Sequence, residues 1–328
     1  MKKLSDYKLP DSGFMENSEC LQAALYSIVY NMGHRYELLP FLSFADFSFD
    51  VDGGDLSNCF ERSGIIKGIP NQLSKLTGIH GKRVEQCTKK QIFDVCVQNA
   101  KRDIPTVLSL DSGKISYHLN FGRQHYGHYV VMLNINEQGY SIYQDPYFYI
   151  NKKDAVFDEM PLFENHCFYF EFKQSLMQDL RLVLLEELDS YPERGFVKKM
   201  ENICALICSI DAFRKEIEQY SVPALSPFMV KLKSLIIDRT NLLNCLSKYL
   251  PTEEDIHMEW GRCVKNWNDA YLVLLKSIVR KYSIEVIKNA ADLFREAVSS
   301  EEKIVLEMKD AIKCRSTKKL LEIDGGIT

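Results

Sequence analysis

Apolar residues first become regular at Leu21, Ala24, Leu25, Ile28, Val29 and Met32, the spacing of one helix face. Ser18 stands where it would cap that helix, and Gly33 where it would end it. The same periodicity predicts short helices over 69–76 and 90–100. Apolar or alternating runs then predict strands over 104–110 (IPTVLSL), 129–135 (YVVMLNI), 140–144 and 167–172 (CFYFEF). The turn Asn136-Glu137-Gln138-Gly139 makes the middle two a hairpin. Beyond 173 the pattern turns helical, with helices expected near 174–190, 193–220, 226–249, 253–281 and 283–314. Pro192, Pro223, Pro227 and Pro251 punctuate them, and Thr252 ahead of Glu253, Glu254 and Asp255 suits a helix start.

These patterns divide the chain into an α+β domain over 1–172 and an all-α helical bundle over 173–328. The first part holds the strands, most glycines and all but one of the seven histidines. Hydrophobic content of 46% fills cores of this size. A net charge of −4 gives no basic field for nucleic acid. No apolar run is long enough to span a membrane, and the N-terminal lysines precede no signal-peptide core. The ten cysteines have no C-x-x-C pair, so free thiols in a cytoplasmic setting are expected, with no metal site and no disulfide framework. Trp260 and Trp267 share one helix face with Cys263 close by, a pattern that favours a bundle core over a ligand pocket.

The candidate chemistry lies in the first domain. Cys20 falls in the first turn of the 20s helix, where backbone N–H groups and the helix dipole stabilise a thiolate. Its own N–H can contribute to an oxyanion hole. His128 begins one hairpin strand and Asp145 ends the other. If Asn136 and Gly139 flank a two-residue turn, paired positions sum to about 275. His128 and Asp145 then project from one face as diagonal neighbours, about 7–8 Å apart at Cα. That separation allows a carboxylate to accept from Nδ1 of a histidine serving as the base for Cys20. His118 and His125, in the glycine-containing stretch SYHLNFGRQHYG, are rival bases or cleft-lining groups. Asp111, after the first predicted strand, either faces the same cleft or turns the chain.

At these positions the chain resembles the N-terminal domain of the butirosin biosynthesis protein H family. The resemblance rests on Ser18-Glu19-Cys20 leading into an alanine-containing helix that ends near Gly33-His34, on VLSLDSGKISYHL, on HYGHYVVMLNI and on YSIYQDP, and covers about residues 14–172. It implies a papain-like fold with Cys20, His128 and Asp145 as the catalytic triad. It also implies transfer of an acyl group from an acyl or peptidyl carrier protein to an amine-bearing acceptor in natural-product biosynthesis. No cofactor of the protein's own is implied, because the donor carries the phosphopantetheine. The segment FLSFADFSFDVDGG is poorer in glycine than the resemblance leads one to expect. Phe14 stands where many papain-like enzymes place an oxyanion-binding Gln, so Asn17, Gln22 or backbone amides must substitute. A cysteine peptidase or amidase would use the same residues with water as the second nucleophile. A non-catalytic binding protein could keep the fold alone.

Overall fold

The computed structural model describes residues 2–10, 19–33, 47–49, 56, 60–62, 71–174, 179–191, 195–220, 222–249 and 254–314. Two compact units emerge: Met1–Leu39 with Ile65–Gln178, and Pro40–Gly64 with Asp179–Thr328. The division thus falls at 178/179 rather than 172/173, and Pro40–Gly64 groups with the helices instead of the first domain. Within that segment, β1 (Phe47–Phe49) pairs antiparallel with β2 (Phe60–Arg62).

The first unit is α+β. Its strands are β3 (Ile79–Val84), β4 (Thr106–Asp111), β5 (Gly127–Ile135), β6 (Tyr140–Asp145), β7 (Ile150–Val156) and β8 (Leu162–Phe172). They form one sheet of order β3-β8-β4-β5-β6-β7, antiparallel at every pairing. The two edge strands, β3 and β7, are the ones the apolar pattern missed. IHGKRV and INKKDAV are rich in charge because an edge strand is half solvated and must resist pairing with other chains.

Among the described residues, this unit also has helices α1 (Cys20–Asn31), α2 (Asn71–Thr77) and α3 (Lys89–Ala100). Ile92, Cys96 and Val97 of α3 pack with Leu108, Leu110, Val130, Met132, Tyr143 and Cys167 of the sheet. α1 departs from the one-faced helix that its spacing suggests, for Gln22, Ser27 and Asn31 are buried along with the apolar residues. Each polar group has a partner. Ser27 Oγ donates to Gln144 Oε1. Asn31 Nδ2 donates to Lys8 O (2.7 Å) and its Oδ1 accepts from Lys8 N (2.9 Å), tying down the N-terminal segment. Gly33 follows the helix with φ +80°, a conformation that favours glycine.

The hairpin that carries the candidate site has two irregularities. Asn136 N–H donates to Tyr140 O and Ile135 pairs with Ser141, so the turn holds one residue more than the two-residue turn expected. Gly139 takes φ +85° there. Met132 pairs with Tyr143 while Asn134 pairs with Ile142, which leaves Leu133 as an extra residue on β5. The bulge offsets the longer turn, and towards His128 the pairing Val131↔Gln144 restores the register that the shorter turn would have produced.

The second unit contains α4 (Leu180–Ser190), α5 (Phe196–Cys208), α6 (Ile210–Glu218), α7 (Pro227–Tyr249), α8 (Glu254–Val279) and α9 (Ile284–Cys314). The helix expected over 193–220 is broken at Ser209, whose ψ of 97° is extended. Thr252 lies outside the described residues. Among the described residues, no helix is long and apolar enough to cross a membrane. Trp260 and Trp267 are fully buried in the bundle, so their shared face is core. A buried polar cluster sits between them: Glu301 accepts from Arg239 Nε (2.6 Å), from Trp267 Nε1 (2.9 Å) and from the Tyr191 hydroxyl.

Removing one partner of a buried ion pair leaves an uncompensated charge. Glu301→Ala should therefore destabilise the helical unit by about 3–5 kcal/mol. Urea denaturation followed by tryptophan fluorescence tests this cleanly, because Trp260 and Trp267 are the only tryptophans in the chain. An unchanged midpoint would show that Arg239 is solvated after the substitution.

Candidate active site

The N-terminus of α1 starts one residue later than expected. Glu19 is the N-cap, with extended backbone (φ −81°, ψ 163°), and Cys20 is the first helical residue. Glu19 N–H donates to Gln22 Oε1 (3.0 Å), so the Gln22 carbonyl is spent on capping its own helix. At the first helical position the Cys20 N–H has no acceptor within the helix, the position from which a donor can serve an oxyanion. The Cys20 side chain is half-buried. Phe14, Asn17 and Ser18 lie outside the described residues.

His128 and Asp145 meet as the hairpin geometry requires, but through the other ring nitrogen. His128 Nε2 lies 2.7 Å from Asp145 Oδ2, where an Nδ1 contact was expected. His128 also has Cys20 as a side-chain hydrogen-bond partner. With Nε2 committed to the carboxylate, Nδ1 is the ring nitrogen that remains. His128 is thus hydrogen-bonded to Asp145, and Cys20 lies near enough to raise its pKa.

Asp145 has no solvent exposure and His128 only 2%. The carboxylate is nevertheless well supplied with donors. Tyr117 O–H donates to Oδ2 (2.9 Å) and Phe148 N–H to Oδ1 (3.4 Å). Burial alone would lower the His128 pKa, but hydrogen bonds to Asp145 and Cys20, with their charges, raise it to about 9. At neutral pH the ring is therefore an imidazolium, suited to pair with a thiolate. Burial and then the charge of Asp145 push the Tyr117 phenol upward, so it stays a neutral donor.

Aromatic side chains enclose the histidine. The rings of His118, Phe148 and Tyr147 lie 4.9, 5.4 and 5.8 Å from that of His128. Tyr147 is exposed, and its phenol is raised by burial and then by the charges of Cys20 and Asp145. Neither Tyr117, Tyr147 nor Phe148 was among the residues expected from the sequence. The available signals were local: Tyr147 and Phe148 follow Asp145-Pro146 directly, and Tyr117 adjoins His118.

The rival bases occupy different situations. His118 reaches the site, but burial and then the neighbouring His128 charge lower its pKa to about 4. Its Nδ1 accepts from Asn120 N–H (3.0 Å), so it is a neutral, oriented ring and a poor base. His125 pairs instead with Asp111, Nδ1 lying 2.8 Å from Oδ1, and its side chain is 57% exposed. Asp111 also accepts from Gly113 N–H (3.0 Å) and so turns the chain at the end of β4. Burial opposes ionisation of Asp111, but the bonds to His125 and Gly113 and the His125 and Lys114 charges hold its carboxyl below the usual range.

No protein-family model and no curated protein sequence matches this chain.

Two outcomes follow for the His128 pair. Its folded-state pKa lies above the unfolded value of 6.5, so its stabilisation is fully present below that pH and is lost as pH rises through about 9. Compared with His128→Gln, the wild type should lose up to about 3 kcal/mol across this window, read from urea midpoints at successive pH values. Second, Cys20 should react with iodoacetamide faster than Cys96 and Cys167, whose thiols burial pushes upward. His128→Ala should slow Cys20 labelling by about tenfold or more. Equal rates at all three thiols in native protein, measured by peptide mapping, would remove the activated-thiol reading.

Proposed function

We propose that the first unit is a papain-like catalytic domain and that the protein is a cytoplasmic acyltransferase of natural-product or nonribosomal-peptide biosynthesis. In this reading it moves an acyl or aminoacyl group from a carrier-protein thioester, through a thioester on Cys20, to an amine. The observation that supports it best is the half-buried Cys20 in contact with a raised-pKa His128, itself held by the buried Asp145. The arrangement suits thioester chemistry because it sets a thiol beside a histidine that can carry and deliver a proton.

The Cys20 thiolate attacks the donor carbonyl, and the developing oxyanion is received at the start of α1 by the Cys20 N–H. Collapse breaks the bond to the phosphopantetheine sulfur, and His128 supplies the proton to that leaving thiol. The amine then attacks the Cys20 acyl carbon, losing a proton to the now neutral His128. Expulsion of the Cys20 thiolate restores the imidazolium–thiolate pair. Asp145 keeps the ring oriented throughout and stabilises its cationic form.

Intact-protein mass spectrometry tests this reading. With an acyl-loaded carrier protein and no acceptor, the acyl mass should accumulate on Cys20. Cys20→Ser should slow its formation by about a hundredfold or more, because a hydroxyl is a far poorer nucleophile near neutral pH. Candidate amines should discharge the adduct faster than water does. Failure of several acylated carriers to give an adduct, with cleavage of a peptide library at one site, would replace the transferase with a peptidase. Tight carrier or peptide binding with neither activity would indicate a non-catalytic papain-like protein.

A further inference from the structure

Tyr117 separates the His128–Asp145 pair from a second feature of the first unit. One side of Tyr117 donates its hydroxyl to Asp145. Its ring also walls a pocket of about 360 Å³, within the size range of small-molecule sites. Leu110, Ile115, Val156 and Met160 contribute an apolar lining. Lys153 Nζ lies over the Tyr117 ring, 4.6 Å from its centroid.

Two lysines and two carboxylates line this pocket, and they differ in exposure. Lys153 pairs in register with Tyr143, and Asp154 with Ile142. Strand alternation sends the Lys153 side chain to the Tyr143 face, and Asp154, which is exposed, also lines the pocket. Among the described residues no carboxylate lies within 4 Å of the Lys153 ammonium, which rests over the Tyr117 ring. Lys114 is a second lining cation, and its contact with Asp111 is long, at 3.6 Å. Glu159 also lines the pocket; it, Asp154 and Lys114 are all exposed and screened by water, which leaves the half-buried Lys153 as the least screened charge. A cation partly shielded by an aromatic ring and backed by apolar walls favours an anion whose body is itself apolar.

We propose that this pocket binds a small carboxylate with an apolar body, its carboxylate on Lys153 and its body against Ile115 and the Tyr117 ring. The site is distinct from Cys20 and does not depend on which reaction Cys20 performs.

The probe is 3-phenylpropanoate, with its uncharged amide and inorganic phosphate as comparators, titrated calorimetrically into the full-length chain. Saturable millimolar binding is expected for the carboxylate, as for a ligand of this size in a preformed pocket. The amide should bind about tenfold more weakly, and Lys153→Ala should weaken the carboxylate by about fivefold or more. Lys153→Arg should retain it, and thermal melting should show both variants folded. Nuclear Overhauser contacts from the phenyl protons to the Ile115 methyls and the Tyr117 ring would place the ligand. The proposal is overturned by no saturation, by affinity indifferent to Lys153→Ala in a folded variant, or by contacts elsewhere. Phosphate binding as tightly as the carboxylate and displacing it would overturn the apolar-body requirement. Loss of acyl transfer at Cys20 would leave each of these readings unaffected, so the two proposals fail separately.

Discussion

A carboxylate without solvent exposure constrains everything around it, and in the first unit that carboxylate is Asp145. Its desolvation is tolerable only with donors on hand. His128 Nε2, Tyr117 O–H and Phe148 N–H provide them from three separate segments. The hairpin must keep its register for His128, the 112–126 connection must deliver Tyr117, and the chain must turn at once after Pro146 for Phe148. One buried charge thus links strand pairing, loop path and the state of the histidine. Because the pair is enclosed, His128 is held protonated by its partners against the opposing effect of burial.

The nucleophile depends on a similar commitment in α1. A helix whose polar residues faced water could shift or fray, whereas Gln22, Ser27 and Asn31 are each buried and each hydrogen-bonded. Gln22 secures the first turn, where Cys20 sits. Ser27 joins the helix to β6 through Gln144, one residue before Asp145. Asn31 holds the N-terminal segment against the far end. Removing these side chains' partners would leave buried polar groups short of hydrogen bonds, so the helix position is specified by polar contacts as well as by apolar packing.

Glu301 in the helical unit offers an instructive contrast. It too is a buried carboxylate with several donors, from Arg239, Trp267 and Tyr191. Arg239 carries a permanent charge there, and every group in the cluster is inside the bundle. Asp145 instead holds a titratable ring whose pKa is also raised by a half-buried thiol, Cys20. Burial and satisfaction are common to both clusters. Access and a transferable proton separate the candidate catalytic site from the structural one.

The strands with continuous apolar patterns and the long helices were legible along the chain, because burial on a sheet or in a bundle imposes periods that need no knowledge of neighbours. So was the approach of His128 to Asp145, since a hairpin converts sequence separation into spatial separation almost directly. The edge strands β3 and β7 were not, because half-solvated strands lack an apolar signature. Nor could the pattern distinguish a polar face that meets water from one buried against other elements, which is why α1 read as one-sided. The choice of ring nitrogen, the neutral state of His118, the pairing of His125 with Asp111 and the arrival of Tyr117 at Asp145 all depend on loops folding back across the sheet. The residue types able to do chemistry were set locally by the sequence. Their protonation states and partners were decided by tertiary structure, because both follow from desolvation and contacts between segments distant along the chain.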